Sequence, residues 1–278
     1  MNLRITYHWR RLATAVCFGV FGAGCLVLGL VVLPAQRLLP GSHAARRARV
    51  RGTVGATLRW FARFMRRMGV ITYDLQGIER LGRPGQLIVA NHPTLIDGVF
   101  LLGFAPSSSC IVKQALWDNP ITRWPLTAAG YVSNSTAEHM IEGAAQALRE
   151  GQSVIMFPEG TRTVPGRSLQ LQRGAAAIAV RAATVVTPVY IRCNPQTLAK
   201  HEPWYRVPER RAHFSARVGA DIDPEPYRRR AAAPLAARQL NEHLLQNFTV
   251  ELASEAATGT MDSPKHRATA KAGREVGP

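Results

Sequence analysis

The stretch QLIVANHPTLIDGVFLLGFA, residues 86–105, changes character twice. QLIVAN is a short apolar run of the kind a buried strand makes, and IDGVFLLGFA reads as a helix. Between them, Pro93 stops any central strand, because it has no N–H to give the ladder. His92 ends the strand and Asp97 opens the helix. That spacing does not stack two side chains on one helix face, but it can close through a turn. A carboxylate on one imidazole nitrogen fixes the tautomer and leaves the other nitrogen free to take a proton from a hydroxyl. Alone the pair is weak evidence, since His-x4-Asp arises by chance in many chains.

The same strand-to-helix alternation continues outward. ITYDLQG (71–77), CIVKQA (110–115), SVIMF (153–157), TVVTPVYIRC (184–193) and AHFSARVG (212–219) read as strands. STAEHMIEGAAQALREG (135–151), with Ser135 or Thr136 as N-cap, GAAAIAVRAA (174–183) and PLAARQLNEHLLQNFTVELA (234–253) read as helices. The pattern predicts an α/β fold: a mostly parallel central sheet flanked by helices. In open sheets of this kind, sites gather beyond the carboxyl ends of strands. NHPTLID and PEGTR both follow strands, so both are expected at one rim.

The chain has 278 residues, a net charge of +17 and a pI near 11.0, which suggests an anionic partner. The charge is unevenly spread. Residues 1–73 hold 12 arginines and no lysine, aspartate or glutamate. LATAVCFGVFGAGCLVLGLVVL, residues 12–33, carries no charge and would span roughly 33 Å as a helix, enough to cross a hydrocarbon core. Its apolar run is longer than that of a cleaved signal peptide, and no convincing small-x-small site follows. A retained membrane anchor is the expectation. Positive charge is heavier after the span than before it. That places the rest of the chain on the cytoplasmic side of the cell (inner) membrane. Arginines flank both sides, so a shallow or re-entrant anchor stays open.

Next, Val50, Val54, Leu58, Phe61, Met65 and Met68 make one helical stripe, with Arg59, Arg63, Arg66 and Arg67 largely off it. Such a basic amphipathic helix can lie among lipid headgroups or pack its stripe on the domain; the residues fit both. The expected organisation is therefore 1–69 anchor and basic helix, 70–253 catalytic domain, and 254–278 a tail without periodicity, expected to be disordered. Cys17, Cys25, Cys110 and Cys193 have no metal or disulfide spacing and read as reduced thiols.

FPEGTR, residues 157–162, strengthens the reading of His92. Gly160 permits a tight turn with exposed amides, which offers donors for an oxyanion. Thr161 brings a hydroxyl, and Arg162 brings a planar fork for a phosphate. Glu159 can hydrogen-bond a polyol or brace Arg162. Such a turn is by itself usually a surface turn, but the two motifs together are specific.

In order and spacing they resemble the glycerolipid acyltransferase family, which includes the 1-acylglycerol-3-phosphate acyltransferases. The family's NHxxxxD block is seen as Asn91, His92 and Asp97, and its FPEGTR block is complete. LQRGA carries Arg173 and Gly174 of the next element, and VVTPVYI ends the pattern with Pro188. Lys113 resembles the family's strand lysine. The resemblance covers roughly residues 70–220. The block AAGYVSNS departs from it: Ser133 and Asn134 stand where the family has an acid and an arginine thought to hold the acceptor's phosphate.

The resemblance implies a membrane-bound O-acyltransferase. His92, oriented by Asp97, is the expected base. Asn91, Lys113, Glu159, Gly160, Thr161 and Arg162 are the expected substrate-binding residues. No cofactor or metal is implied. The donor is acyl-CoA or an acyl carrier protein, and the other partners are membrane lipids. No Ser or Cys nucleophile motif is present. The departure at Ser133 and Asn134 keeps a different amphiphilic acceptor open, such as a lyso-ornithine lipid or another specialised lipid. A non-catalytic basic protein bound to membrane or nucleic acid would make both motifs coincidences. The globular part also lacks the aromatic–basic interleaving of an RNA-binding sheet, so no nucleic-acid partner is expected.

Overall fold

Strand β2, Gln86–Ala90, is buried at every position. Such a strand must be covered on both sides, as parallel central strands are. Leu87 and Val89 point into one cluster, and Ile88 and Ala90 into the other. The computed structural model describes residues 3–164 and 166–261.

The other strands are β1 (Ile71–Gln76), β3 (Ser109–Val112), β4 (Val132–Ser133), β5 (Val154–Met156), β6 (Val185–Asn194) and β7 (Ala212–Val218). They form a seven-stranded sheet in the order β1-β7-β6-β2-β5-β3-β4. Every pairing is parallel except β6 with β7. The sheet is thus the mostly parallel one expected. Helices α7 (Ala137–Arg149), α8 (Gly174–Ala182) and α10 (Ala233–Met261) cover the Leu87 side. Helices α3 (His43–Arg67) and α4 (Asp97–Phe104) cover the Ile88 side. Thr136, one of the two expected caps of α7, accepts a hydrogen bond from the His139 amide. Helix α10 runs past Ser254 into the stretch expected to be disordered; residues 262–278 lie outside those described.

Three helices and the two-residue strand β4 were not read from the sequence. Helices α5 (Gln114–Asp118) and α6 (Pro120–Ala129) fold from a segment with two prolines, and Pro125 lies inside α6. The short α9 (Glu225–Arg230) leads into α10.

The apolar leader is helical throughout. Helix α1 (Leu3–Val27) passes through a π turn at Leu28–Val32 into α2 (Leu33–Arg37). By length and mean hydropathy, 2.6 over its most apolar window, this helix could cross a membrane. It does not stand apart from the domain. Ala13, Cys17 and Leu33 are buried, and the Arg10 guanidinium donates to the carbonyls of Pro208 and Glu209. The opposite side exposes Leu12, Val16, Leu26, Val27, Leu30 and Val31.

Of the two readings of the basic helix, packing on the domain describes α3. Val50, Phe61 and Met65 are buried. Arg51 is buried with them and donates to the carbonyls of Ser107 (2.8 Å) and Ala129 (3.1 Å). Helices α3 and α4 approach closely because each turns a glycine to the other's backbone. A Cβ at Gly55 would stand 3.0 Å from the Leu102 oxygen, and one at Gly103 3.0 Å from the Arg59 nitrogen. Gly103→Val should force the pair apart and cost about 1–3 kcal/mol. The denaturant midpoint measures it; a variant as stable as the parent would show that the helices have room to separate.

Candidate active site

The parallel strands deliver their carboxyl ends to one rim. His92 follows β2, Lys113 follows β3, Asn134 follows β4 and Phe157 follows β5. All four line one cavity of about 600 Å³, together with Gly160, Arg162 and Gln172. The remaining walls are mostly apolar. Val20, Phe21 and Leu28 come from the leader helix, Leu58 and Phe61 from α3, and Leu102 from α4.

Asp97 has no exposed surface. Its Oδ2 lies 2.7 Å from His92 Nδ1 and accepts the Thr94 amide at 2.8 Å, while Oδ1 accepts the Thr94 hydroxyl at 2.5 Å. The Thr94 hydroxyl in turn accepts the Ile96 amide at 3.3 Å, so the turn folds around the carboxylate. Burial pushes the Asp97 carboxyl up, and the bonds from His92 and Thr94 pull it back without cancelling the rise. With Nδ1 facing a carboxylate, the proton belongs on Nδ1 and the lone pair on Nε2. Nε2 has no partner among the described residues. The imidazole stacks on Phe157, centroids 4.3 Å apart and planes at 25°, which holds the ring at the cavity wall.

The turn after β5 clamps the turn after β2. The Glu159 carboxylate accepts from the His92 amide and from the Thr163 hydroxyl, each at 2.8 Å. The Thr163 amide donates to the His92 carbonyl at 2.7 Å. Arg162 Nη1 donates to the carbonyls of Leu198 and Ala199, both at 2.8 Å, and the rest of its guanidinium has no partner among the described residues.

The eight candidate residues therefore separate. His92, Lys113, Gly160 and Arg162 line the cavity; Asp97 lies behind His92. Asn91 does not face it. Its side chain is buried, donates to the Ile191 carbonyl at 2.8 Å and accepts the Ile191 amide at 2.7 Å, stitching the turn to β6. Glu159 is committed to the clamp and braces His92 rather than Arg162. Thr161 is half-buried and does not line the cavity. Gly160 has φ +66°, as a tight turn requires, but its amide donates to the Phe157 carbonyl at 3.2 Å and is not free for an oxyanion. A Cβ there would stand 2.8 Å from Gln172 Nε2. Thr94 and Gln172 escaped the sequence reading; the hydroxyl two places after His92, within reach of an N-cap position, is the signal that could have found Thr94. Asn134 is held by the Gln114 amide at 2.9 Å.

Burial also raises the Glu159 carboxyl above its ordinary range, against the opposing bonds from His92 and Thr163. A raised folded value means that ionisation costs stability, and the cost grows as pH rises from the ordinary glutamate range past the raised value. Glutamine can accept the same two bonds and carries no charge. Glu159→Gln should therefore gain stability relative to the parent as pH rises through that window. Thermal unfolding of both proteins across the window measures the difference; one that stays flat or runs the other way would refute the assignment.

A family model described as Acyltransferase matches residues 72–192. The 1-acyl-sn-glycerol-3-phosphate acyltransferase of Pseudomonas aeruginosa is 28% identical over 149 residues, 51% of this chain and 58% of that protein. The enzyme of the same name from Saccharomyces cerevisiae is 25% identical over 205 residues, 70% of this chain and 63% of that one. The chain thus spans less than two thirds of the length of these curated relatives. The crystal structure of the 1-acyl-sn-glycerophosphate (LPA) acyltransferase PlsC from Thermotoga maritima has the same fold. Its TM-score is 0.65 at 20% identity, over 91% of this chain and 98% of that one. Both sequence blocks thus lie on one rim, inside the stretch that is similar to the acyltransferase family.

Proposed function

We propose that the protein moves an acyl chain from a thioester, carried on coenzyme A or an acyl carrier protein, to the free hydroxyl of a lysophosphatidate-type lipid. The observation that carries this reading is the His92–Asp97 pair, 2.7 Å apart, at the wall of a largely apolar cavity that Lys113 and Arg162 also line. The apolar walls suit an acyl chain. The two cations suit a phosphate, Arg162 through the part of its fork not held by Leu198 and Ala199.

In the proposed reaction, His92 Nε2 takes the proton of the acceptor hydroxyl. The oxygen attacks the thioester carbonyl, a C–O bond forms and the C–S bond breaks. The leaving thiolate then takes the proton back from His92. Asp97 stabilises the imidazolium that forms between the two steps. No covalent acyl-enzyme occurs. The leader helix, with its exposed apolar side, holds the site at the cytoplasmic face of the cell membrane, where an amphiphilic acceptor and product reside.

His92→Ala should lower turnover by about 10²–10⁴-fold with the fold intact. Thiol release from an acyl thioester, measured in membranes with and without lysophosphatidate, reads it; full activity in the variant would refute the role of His92. Asn134 supports a second reading, since it places a neutral amide in the cavity where the family has an arginine. On that reading the acceptor is another amphiphile with less charge to neutralise. Lys113→Ala and Arg162→Ala decide between the two. Under the lysophosphatidate reading each should raise KM for that acceptor well above the parent's, by about tenfold or more for a lost charged hydrogen bond. Under the second reading, lysophosphatidate would give no acceptor-dependent release with the parent.

A further inference from the structure

Away from the active site, the segment after β6 brings two large aromatic rings to the surface beside the start of the leader helix. Trp204 and Tyr205 are 45% and 59% exposed. The Trp204 ring lies 5.2 Å from that of Phe18 on α1 and 5.8 Å from that of Tyr205. Together with His8, Arg11 and Ala15 of α1, they line a shallow cavity of about 290 Å³. His8, Arg11, Ala15 and Phe18 step by three and four, so one stripe of the helix faces these rings. The next stripe begins with Leu12 and Val16, both exposed and apolar. The segment carries Lys200, Arg206, Arg210 and Arg211 against Glu202 and Glu209, with Arg206 3.8 Å from Glu202, and so keeps an excess of positive charge.

The Arg10 guanidinium fixes this segment to α1 through the carbonyls of Pro208 and Glu209. Any surface that receives the exposed apolar side of α1 therefore also meets Trp204 and Tyr205. Indole and phenol rings favour the headgroup level of a bilayer, with their apolar bodies toward the chains and their polar tips toward water. Guanidinium groups at the same level meet lipid phosphates. These rings lie where the charged end of α1, at His8 and Arg11, passes into its apolar stretch, at Ala15 and Phe18, the position of an interfacial belt.

The geometry points to a second lipid-binding element: Trp204 and Tyr205, with Arg11 and His8, form a site for anionic phospholipid headgroups that fixes how deep the domain sits. This rests on the membrane reading of α1 given above. The occupant is a lipid surface, selected by continuity with the apolar side of α1 and by the positive charge around the rings.

Vesicle flotation of the full-length protein, combined with tryptophan quenching by lipids brominated near the headgroup or near the chain end, tests it. The chain has five tryptophans, and subtracting the Trp204→Phe spectrum from the parent's isolates the Trp204 emission. Trp204→Tyr gives the same subtraction should the phenylalanine variant fail to fold. On phosphatidylcholine vesicles containing phosphatidylglycerol, the Trp204 emission should shift to the blue and be quenched more by shallow than by deep bromines. Arg11→Gln should lose the part of that quenching which depends on phosphatidylglycerol. Flotation with Trp204 unquenched and emitting like an indole in water overturns this proposal alone. Quenching equal with and without phosphatidylglycerol overturns the anionic assignment. Failure of the parent to float on either vesicle removes the membrane reading of α1 itself.

Discussion

A carboxylate with no exposed surface is the constraint around which the rest of the site is arranged. Asp97 sits at the start of α4, and burying its charge is tolerable only because each oxygen is met by a donor. Two donors come from Thr94 and one from His92. The imidazole is thus held in place by an electrostatic need of the fold. The carboxylate selects one tautomer and one ring orientation, and Phe157 closes the other side.

That arrangement needs a backbone that cannot drift, and three strands supply it. Asn91 ties the turn after β2 to β6, and Glu159 and Thr163 tie it to the turn after β5. Arg162 continues the chain of contacts to the segment beyond β6. The adjacent parallel strands end together at one rim, so residues far apart in sequence reach one another through short polar side chains.

The strands and helices around the two motifs were legible because their signals are local. Apolar runs broken by Pro93 and Gly160 mark strand ends, and Thr136 marks a helix start. Helices α5 and α6 were not legible: Pro125 argues against a helix interior, although Pro120 suits a helix start. The His92–Asp97 pair was legible from spacing and turn chemistry. The division of labour around it was not. Asn91 and Glu159 are polar residues beside a base, and sequence alone offers them to substrate. Their true partners are main-chain groups at Ile191 and His92, which become neighbours only once the sheet has assembled. Nor could any pattern in residues 12–33 show which side of that helix would rest on the domain.

That resting side gives the leader helix a second identity. Val20, Phe21 and Leu28 belong to it and also to the cavity that His92 borders. The segment that looks like a tether is a wall of that chamber. Cutting it away to obtain a freely soluble fragment would open the chamber to water along its length. One piece of chain thus carries both the exposed apolar side and the cavity wall, and trimming cannot separate them.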